Sequence, residues 1–279
     1  MKCTNRFYLH NYKFKPSKEF SEELFQQGVS LYEVIRIENG IPLFLEEHLN
    51  RLYHSAEISG LNIEESYCDF EILIEQLINK NIEKKEDGKI KIIVHFNSPS
   101  LKNEKNLLIY FTQHYFPNRT EIENGVNVGI CKTVRSNPNA KILNTNARSI
   151  ANNYLAENKL FEVLLQDTDG YISEGSRSNI FFIKDDILFT PPELDILKGI
   201  TRSNILKLCT QNGIKVIERK IRFTEISEMD AVFLSGTSLK VLPIRNIENK
   251  EFNAKNNLIK TLSEKYNSLV SDYIKEKST

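Results

Sequence analysis

Lys141 lies in a sequence context where a lysine amine can become a nucleophile. It follows the turn-forming Pro138 within NAKILN at 139–144, between a predicted strand and a predicted helix. A lysine at such a junction can project into a cleft, where partial burial lowers the pKa of its amine. The neutral amine can then attack an aldehyde and form a Schiff base. A solvated loop lysine is the alternative, and the spacing alone favours it.

Glu174 is the second candidate, in the polar segment YISEGSRSN at 171–179. A carboxylate beside a pyridine nitrogen keeps that nitrogen protonated and makes the ring a stronger electron sink. Ser176, Ser178 and Asn179 can supply hydrogen bonds to the same ligand. In isolation, the segment favours a surface glutamate followed by ordinary turn residues.

Two further segments suit a phosphate group. Gly199 precedes a helical pattern, so the backbone amides of Ile200 and Thr201 would lie at a helix N-terminus, which attracts anions. An ordinary helix cap by Thr201 is the alternative. The second segment follows an apolar strand and consists of small residues, which suit phosphate contact or any turn: Ser235, Gly236, Thr237 and Ser238.

Charged residues on the first predicted helix and on two predicted strands form a third group. Arg51 can pair with a phosphate or lie at the surface. One strand places Tyr32, Val34 and Arg36 on a common face, and a second strand does so for Lys89, Lys91, Ile93 and His95. Either face can hold a substrate carboxylate, but solvent-facing charge on a sheet edge is the favoured alternative.

Composition sets limits on the class of protein. Of the 279 residues, 40% are hydrophobic and 27% are charged, which is typical of a globular protein. Lys+Arg and Asp+Glu are both 37, so nothing indicates a general attraction to nucleic acid or to an anionic membrane. The four cysteines are far apart and form no metal-ligand pattern, which is typical of a reducing compartment. With no signal-like N-terminus and no apolar run long enough to span a bilayer, we expect a cytoplasmic protein.

The apolar periodicity predicts alternating strands and helices, with no internal repeat. Strands are predicted at 31–37, 41–45, 89–96, 107–115, 125–134, 162–166, 179–184, 187–190, 214–221 and 231–236. Helices are predicted at 46–60, 69–85, 145–159, 201–211 and 254–275. The turn-rich FPNR at 116–119 predicts a boundary between a small α/β domain, residues 1–117, and a larger domain, residues 118–279.

The order of these motifs resembles that of the class IV aminotransferases, also called fold type IV pyridoxal 5'-phosphate (PLP) enzymes. That family includes branched-chain aminotransferases, D-amino acid aminotransferases and 4-amino-4-deoxychorismate lyases. The resemblance runs from about residue 28 to residue 247. Its segments are GVSLYEVIR at 28–36, FLEEHLNRL at 44–52, EGSRSNIF at 174–181, LKGITR at 197–202 and FLSGTSLKVLPI at 233–244.

The resemblance implies PLP as cofactor and a role for each matched residue. Lys141 resembles the lysine that carries PLP as a Schiff base and moves a proton, and Glu174 resembles the carboxylate facing the pyridine nitrogen. Four residues resemble the family's phosphate-binding set: Arg51, Ile200, Thr201 and Thr237. Tyr32 matches an aromatic residue that lines the family's substrate pocket. Flanking residues complete the predicted cofactor site: Ser178, Asn179, Gly199, Ser235 and Gly236. The implied fold is mixed α/β (α+β), with a small α/β domain and a larger barrel-like domain. Members of the family are usually homodimers, so a homodimer is also expected.

The segments that distinguish substrates depart from the family patterns. An Arg-x-His pair typical of D-amino acid aminotransferases is replaced by NSPS at 97–100, and an aromatic-x-Arg of branched-chain enzymes is replaced by Lys89-Ile90-Lys91. Lys91 resembles a lysine of the lyases. The leading hypothesis is transfer of an amino group from a branched-chain or other small amino acid to a 2-oxo acid, with Tyr32, Arg36 and Lys91 binding the substrate. The alternatives are a lyase that forms 4-aminobenzoate and pyruvate, and a non-catalytic PLP-binding relative.

Overall fold

A computed structural model describes residues 2–25, 27–81, 87–97, 105–143 and 145–278. Contacts divide the chain into two compact units. The first unit contains the described residues of Met1–Tyr115, Ala140–Leu143 and Ser271–Thr279, and the second contains those of Phe116–Asn139 and Asn144–Val270. The chain therefore enters the first unit three times.

The first unit is built on a six-stranded antiparallel sheet with the order β2-β1-β6-β5-β3-β4. Its strands are β1 (Phe7–His10), β2 (Lys13–Pro16), β3 (Val29–Glu38), β4 (Ile41–Pro42), β5 (Gly88–Phe96) and β6 (Lys105–Phe111). The predicted strand at 41–45 is wrong beyond Pro42, because Phe44 is left-handed (φ 53°) and Leu45 already begins a helix.

Two helices cover one face of this sheet, α1 (Leu45–Ile58) and α2 (Tyr67–Asn81). Their apolar residues recur at helical spacing, so a single stripe of each helix is buried against the sheet. The stripe residues are Leu49, Leu52 and Ala56 on α1, and Phe70, Leu73, Ile74 and Leu77 on α2. Positions 82–85 of the predicted second helix lie outside the described residues.

The short segment 140–143 extends the first sheet beside β3. Leu31 and Ile142 form an antiparallel bridge. The Tyr32 amide donates to the Lys141 carbonyl (3.1 Å), and the Leu143 amide donates to the Ser30 carbonyl (2.9 Å). β4 pairs only with the far end of β3, at Ile37 and Glu38, so this edge of β3 is open to the segment. Lys141 is thereby fixed to a strand of the first unit.

The second unit is built on a mixed sheet with the order β12-β11-β10-β14-β15-β7-β8-β9-β13. Its strands are β7 (Val126–Lys132), β8 (Glu162–Gln166), β9 (Tyr171–Gly175), β10 (Asn179–Lys184), β11 (Ile187–Thr190), β12 (Val216–Glu218), β13 (Ile221–Arg222), β14 (Ala231–Gly236), β15 (Lys240–Ile247) and β16 (Lys250–Glu251), which pairs with β15. The predicted strand at 214–221 is divided, because β12 pairs with β11 whereas β13 pairs with β9.

The helices of the second half of the chain are α3 (Arg119–Asn124), α4 (Asn146–Asn158), α5 (Ile200–Gln211) and α6 (Asn257–Ser278), and the last residues of α6 belong to the first unit. The second core consists of aliphatic and aromatic side chains from the mixed sheet, including Leu164, Ile180, Phe182, Val232 and Leu242. Within the part of the chain that the structure describes, no helix combines the length and the apolar character needed to cross a membrane.

Candidate active site

Lys141 is a half-buried residue held through its backbone. Its amide donates to Ser55 Oγ (3.1 Å), and that hydroxyl donates to the Arg51 carbonyl on α1 (2.8 Å). Its Nζ lies 4.9 Å from the centroid of the Tyr32 ring, and Lys91 Nζ lies 4.8 Å from the same centroid. Two amines thus lie near one aromatic ring, on a backbone fixed by the bonds to β3.

Arg51 is buried and ion-paired, so the alternative of a surface arginine is wrong. Its Nε donates to Glu33 Oε1 (2.7 Å) and its Nη2 to Glu33 Oε2 (2.7 Å), which is the bidentate geometry that a guanidinium offers a carboxylate. His48 Nδ1 lies 2.7 Å from the same Oε2. These three side chains form an ionic cluster between β3 and α1.

The protonation states of this cluster follow from burial and charge. Burial alone would raise the pKa of the Glu33 carboxyl, but the charge and hydrogen bonds of Arg51, together with His48, hold it well below its usual range. Burial lowers the pKa of His48, against the opposing effect of Glu33. His48 is therefore neutral at pH 7 and donates its Nδ1 proton to the carboxylate.

The face of β3 that carries Tyr32 is not a solvent-facing edge. β5 lies between β6 and β3, and Lys91 is only 8% exposed. Tyr32 and Ile93 are cross-strand partners, as are Val34 and Lys91, so apolar residues neighbour Lys91 on this face of the sheet. The expectation of solvated charge on an edge is wrong for this residue.

Arg36 lies further along the same face of β3. It is the cross-strand partner of Lys89, and its Nε lies 3.0 Å from Glu38 Oε2. It lies four positions from Tyr32 on the strand, so the two backbones are about 13 Å apart. The structure brings Tyr32, Lys91 and Lys141 together, whereas Arg36 pairs with Glu38. Residues 98–100 of the NSPS segment lie outside the described part of the chain.

Glu174 is on β9 and 2% exposed, so the alternative of a surface loop glutamate is wrong. Arg135 Nε lies 2.9 Å from its Oε1. Its Oε2 accepts a 3.3 Å bond from the Leu197 amide and a 3.4 Å bond from Asn179 Nδ2. A buried carboxylate with a guanidinium partner can remain an anion, as the protonation of a pyridine nitrogen requires.

Asn179 contacts all three predicted cofactor-binding segments of the second unit. Its Nδ2 also donates to the Leu197 carbonyl (2.9 Å), and a Cβ added to Gly199 would collide with its Oδ1. On the other side, Asn179 is the cross-strand partner of Ser235. The structure thus brings Glu174, Gly199 and Ser235 around one asparagine.

The start of α5 has the features of an anion site. Gly199 is the N-cap residue and makes no side-chain cap bond, so the first amides, including those of Ile200 and Thr201, need partners from elsewhere. Ser235 Oγ is buried and has no hydrogen-bond partner among the described residues. Such an orphan is unusual inside a protein and fits the oxygen of a bound phosphate.

Three further residues of the predicted cofactor site lie in turns or at a strand end. The Ser178 hydroxyl, in the turn between β9 and β10, donates to Glu162 Oε2 (3.0 Å). Gly236 ends β14, and Thr237 lies half-buried in the turn to β15.

Sequence analysis missed four charged or polar partners: Glu33, His48, Arg135 and Glu162. Glu33 had a usable signal, because it interrupts the otherwise apolar positions Leu31, Ile35 and Ile37. The spacing of His48 and Arg51 on one helix face was a second signal. Arg135 and Glu162 had none, because an arginine in a loop and a glutamate at a strand start are common at surfaces.

The chemistry of the residues present, taken for each unit by itself, fits PLP. The first unit contains an amine, Lys141, and a buried guanidinium, Arg51. The second unit contains a buried carboxylate, Glu174, and a helix N-terminus with an orphan hydroxyl, Ser235. An aldehyde, a pyridine nitrogen and a phosphate require these kinds of groups.

Comparison with known proteins gives consistent matches. Residues 30–247 match the family model described as "Amino-transferase class IV". The chain is 31% identical to D-alanine aminotransferase of Bacillus licheniformis over 80% of its length and 81% of the relative's. It is 27% identical to a branched-chain-amino-acid aminotransferase of Pseudomonas aeruginosa over 81% and 78%. The fold matches the branched-chain amino acid aminotransferase of Escherichia coli, with a TM-score of 0.85, 22% identity and coverage of 96% and 95%.

Proposed function

Because this chain belongs to the class IV aminotransferases, a family of PLP-dependent enzymes, we propose that it transfers an amino group from a small aliphatic amino acid to a 2-oxo acid, with Lys141 as the cofactor-bonding residue. The observation that carries the proposal is the placement of Lys141 Nζ over the Tyr32 ring, on a backbone pinned to β3 and α1. An amine held in this way is oriented before any ligand arrives.

When bound, PLP supplies an electron sink that weakens the bonds at the substrate's Cα. Glu174, ion-paired with Arg135, would hold a proton on the pyridine nitrogen. Ser235, Thr201, Thr237 and the first amides of α5 would bind the phosphate. Arg51 remains a predicted phosphate ligand, and its charge is already paired with Glu33. Lys141 Nζ would take the proton from the substrate's Cα and pass it to the cofactor.

The preference for a small aliphatic donor rests on the surroundings of Tyr32. Val34 and Ile93 lie beside it and offer no hydrogen bond to a polar side chain. The names of the relatives, branched-chain and D-alanine aminotransferases, agree with such a donor. Lys91 would bind the substrate carboxylate. The cytoplasmic location and the homodimer remain predictions.

Covalent labelling tests the role of Lys141. Wild-type protein mixed with PLP, reduced with borohydride and digested should carry the pyridoxyl group on the Lys141 peptide. Lys141→Ala should lose this adduct and about 10²–10⁴-fold of turnover, the usual contribution of a proton-transferring side chain. Lys132→Ala, at an exposed lysine on β7, is the matched control and should behave as wild type. Absence of an adduct in wild type would favour the non-catalytic relative.

A substrate panel tests the donor. L- and D-amino acids are supplied with 2-oxoglutarate, and the cofactor absorbance reports each half-reaction. We expect turnover with valine, leucine or alanine of one configuration. A protein that converts aspartate or lysine faster than every aliphatic donor would contradict the assignment.

Buried Lys91 supports one second candidate, the 4-amino-4-deoxychorismate lyase. Its ammonium lies 4.8 Å from the centroid of the Tyr32 ring, which Lys141 also approaches, and it can bind a carboxylate of a larger substrate there. Product analysis separates the two functions. Pyruvate released from aminodeoxychorismate without an amino acceptor would favour the lyase, and amino transfer to 2-oxoglutarate would favour the aminotransferase.

A further inference from the structure

Glu162, the first residue of β8, is a buried carboxylate that the proposed reaction does not use. Among the described residues it accepts five hydrogen bonds, all from neutral donors. Its Oε1 accepts from the amides of Val163 (2.9 Å) and Ser176 (3.1 Å) and from the Ser176 hydroxyl (2.6 Å). Its Oε2 accepts from the Arg177 amide (3.1 Å) and the Ser178 hydroxyl (3.0 Å).

Four of these donors belong to one turn, Ser176–Arg177–Ser178, which joins β9 to β10. β9 carries Glu174 and β10 begins at Asn179, so the turn links two residues predicted to contact the cofactor. The Gly175 amide closes the turn on the Ser178 carbonyl (2.8 Å). A Cβ at Gly175 would collide with the Ser178 hydroxyl, so the turn is packed directly onto the carboxylate.

We propose that Glu162 is a positioning residue that fixes this turn and thereby holds Glu174 and Asn179 in place for the pyridine ring. This inference rests on the proposed function. It assigns a role to a residue that contacts neither substrate nor cofactor.

The connection runs from the turn to both oxygens of Glu174. The Ser176 carbonyl accepts from Arg135 Nη2 (3.0 Å) and Arg148 Nη1 (2.7 Å). Arg135 Nε lies 2.9 Å from Glu174 Oε1, and Asn179 Nδ2 lies 3.4 Å from Glu174 Oε2. A shift of the turn would therefore move the partners on both sides of that carboxylate.

A carboxylate suits this role because it only accepts hydrogen bonds. Glutamine has the same length but turns one acceptor into a donor, which would face the Arg177 amide or the Ser176 pair. A donor facing a donor leaves both without a partner, which is costly in a buried place. The turn would then rearrange although the side chain keeps its size.

The test compares Glu162→Gln, Glu162→Asp and wild type, with Asp167→Asn as matched control. Asp167 Oδ1 accepts from the amides of Asp169 (3.0 Å) and Tyr171 (2.8 Å), so it organises the turn at the opposite end of β9. An asparagine keeps that acceptor. Cofactor-free protein is titrated with PLP, and the visible band of the bound cofactor is then followed against pH.

We expect Glu162→Gln to weaken PLP binding about tenfold, which corresponds to about 1.4 kcal/mol. In PLP-saturated protein, kcat should fall at least as much, while KM changes less. The midpoint of the pH titration of the visible band should move to higher pH. A ring nitrogen that has lost its anionic partner is less protonated, so the ring withdraws less electron density from the bond between Lys141 and the cofactor. Glu162→Asp should recover part of each effect, and Asp167→Asn should stay within about twofold of wild type.

A Glu162→Gln protein with wild-type PLP affinity and an unshifted band would overturn the proposal, even if it melted earlier. Should that variant not fold, Glu162→Asp takes its place, because the shorter side chain cannot reach all five donors, and a wild-type PLP titration curve for it would overturn the proposal. Failure of wild-type protein to bind PLP would instead refute the proposed function.

Discussion

Two buried glutamates, one in each unit, are stabilised in opposite ways. Glu33 in the first unit is 0% exposed and is bound by a guanidinium and an imidazole. Glu162 in the second unit is 3% exposed and is bound by three amides and two hydroxyls. Both carboxylates are satisfied, but within the described part of the chain only the first has a full opposite charge in contact with it.

The difference distinguishes two roles of a buried carboxylate. At Glu33 an opposite charge compensates it, and at Glu162 neutral donors fix its position and the turn around it. Removing a charged partner from Glu33 leaves an uncompensated ion in the interior, which is strongly destabilising. Removing one neutral donor from Glu162 leaves four others, so each donor contributes little to stability. We therefore expect the ionic cluster to contribute more to the free energy of unfolding. The neutral cluster should contribute more to the placement of the cofactor.

The largest expected effect is that of Arg51→Met in cofactor-free protein. The buried Glu33 would lose its bidentate partner, and the free energy of unfolding should fall by about 3–5 kcal/mol. Urea denaturation measures the loss. Arg119→Met is the control, because Arg119 is 90% exposed in its pair with Glu123, and no measurable change is expected there.

A double variant makes this test sharper. Arg51→Met combined with Glu33→Gln removes both charges and should recover a large part of the stability lost in the single variant. A double variant as unstable as the sum of its single changes would show that the two residues do not stabilise one another, and the contrast with Glu162 would disappear.

Acid should destabilise the first cluster over a defined range. The folded-state pKa values of His48 and Glu33 both lie below their ordinary values, about 6.5 and 4.3, so the unfolded chain binds more protons and stability falls as the pH falls. Each group contributes a slope of at most about 1.4 kcal/mol per pH unit, His48 from about pH 6.5 downward and Glu33 from about pH 4.3 downward.

Urea denaturation between pH 7 and pH 4 checks this prediction. His48→Gln should flatten the upper part of the slope, because the group that takes up the proton is gone. A His48→Gln protein that kept the wild-type slope would show that His48 is not the titrating group.

The smallest expected effect is that of Ser178→Ala. It removes one of the five donors to Glu162 and should lower the free energy of unfolding by about 0.5–1.5 kcal/mol. Ser227→Ala is the control, since that hydroxyl donates to the Thr224 carbonyl at the surface. A loss as large as that of Arg51→Met would erase the distinction between the two carboxylates.

The sequence predicted regular elements best where pattern and turn chemistry agreed. The strand at 162–166, the hairpin strands at 179–184 and 187–190, and the strand at 231–236 coincide with β8, β10, β11 and β14. The prediction failed at Leu45, where the apolar run continues from a strand into a helix and only the left-handed Phe44 separates them. β9 was missed because its polar residues resemble a loop, although Glu174 is buried.

The sequence alone determined the order of the chemical groups and the family to which they belong. The types and spacing of Lys141, Glu174, the LKGITR segment and the SGTS segment are fixed by the chain itself. Tertiary structure decided which groups became partners: Glu33 with Arg51, Glu174 with Arg135, and Glu162 with a turn. The physical reason is that the energy of a charge or a hydrogen bond depends on burial and direction, and neither exists until the strands and helices have packed.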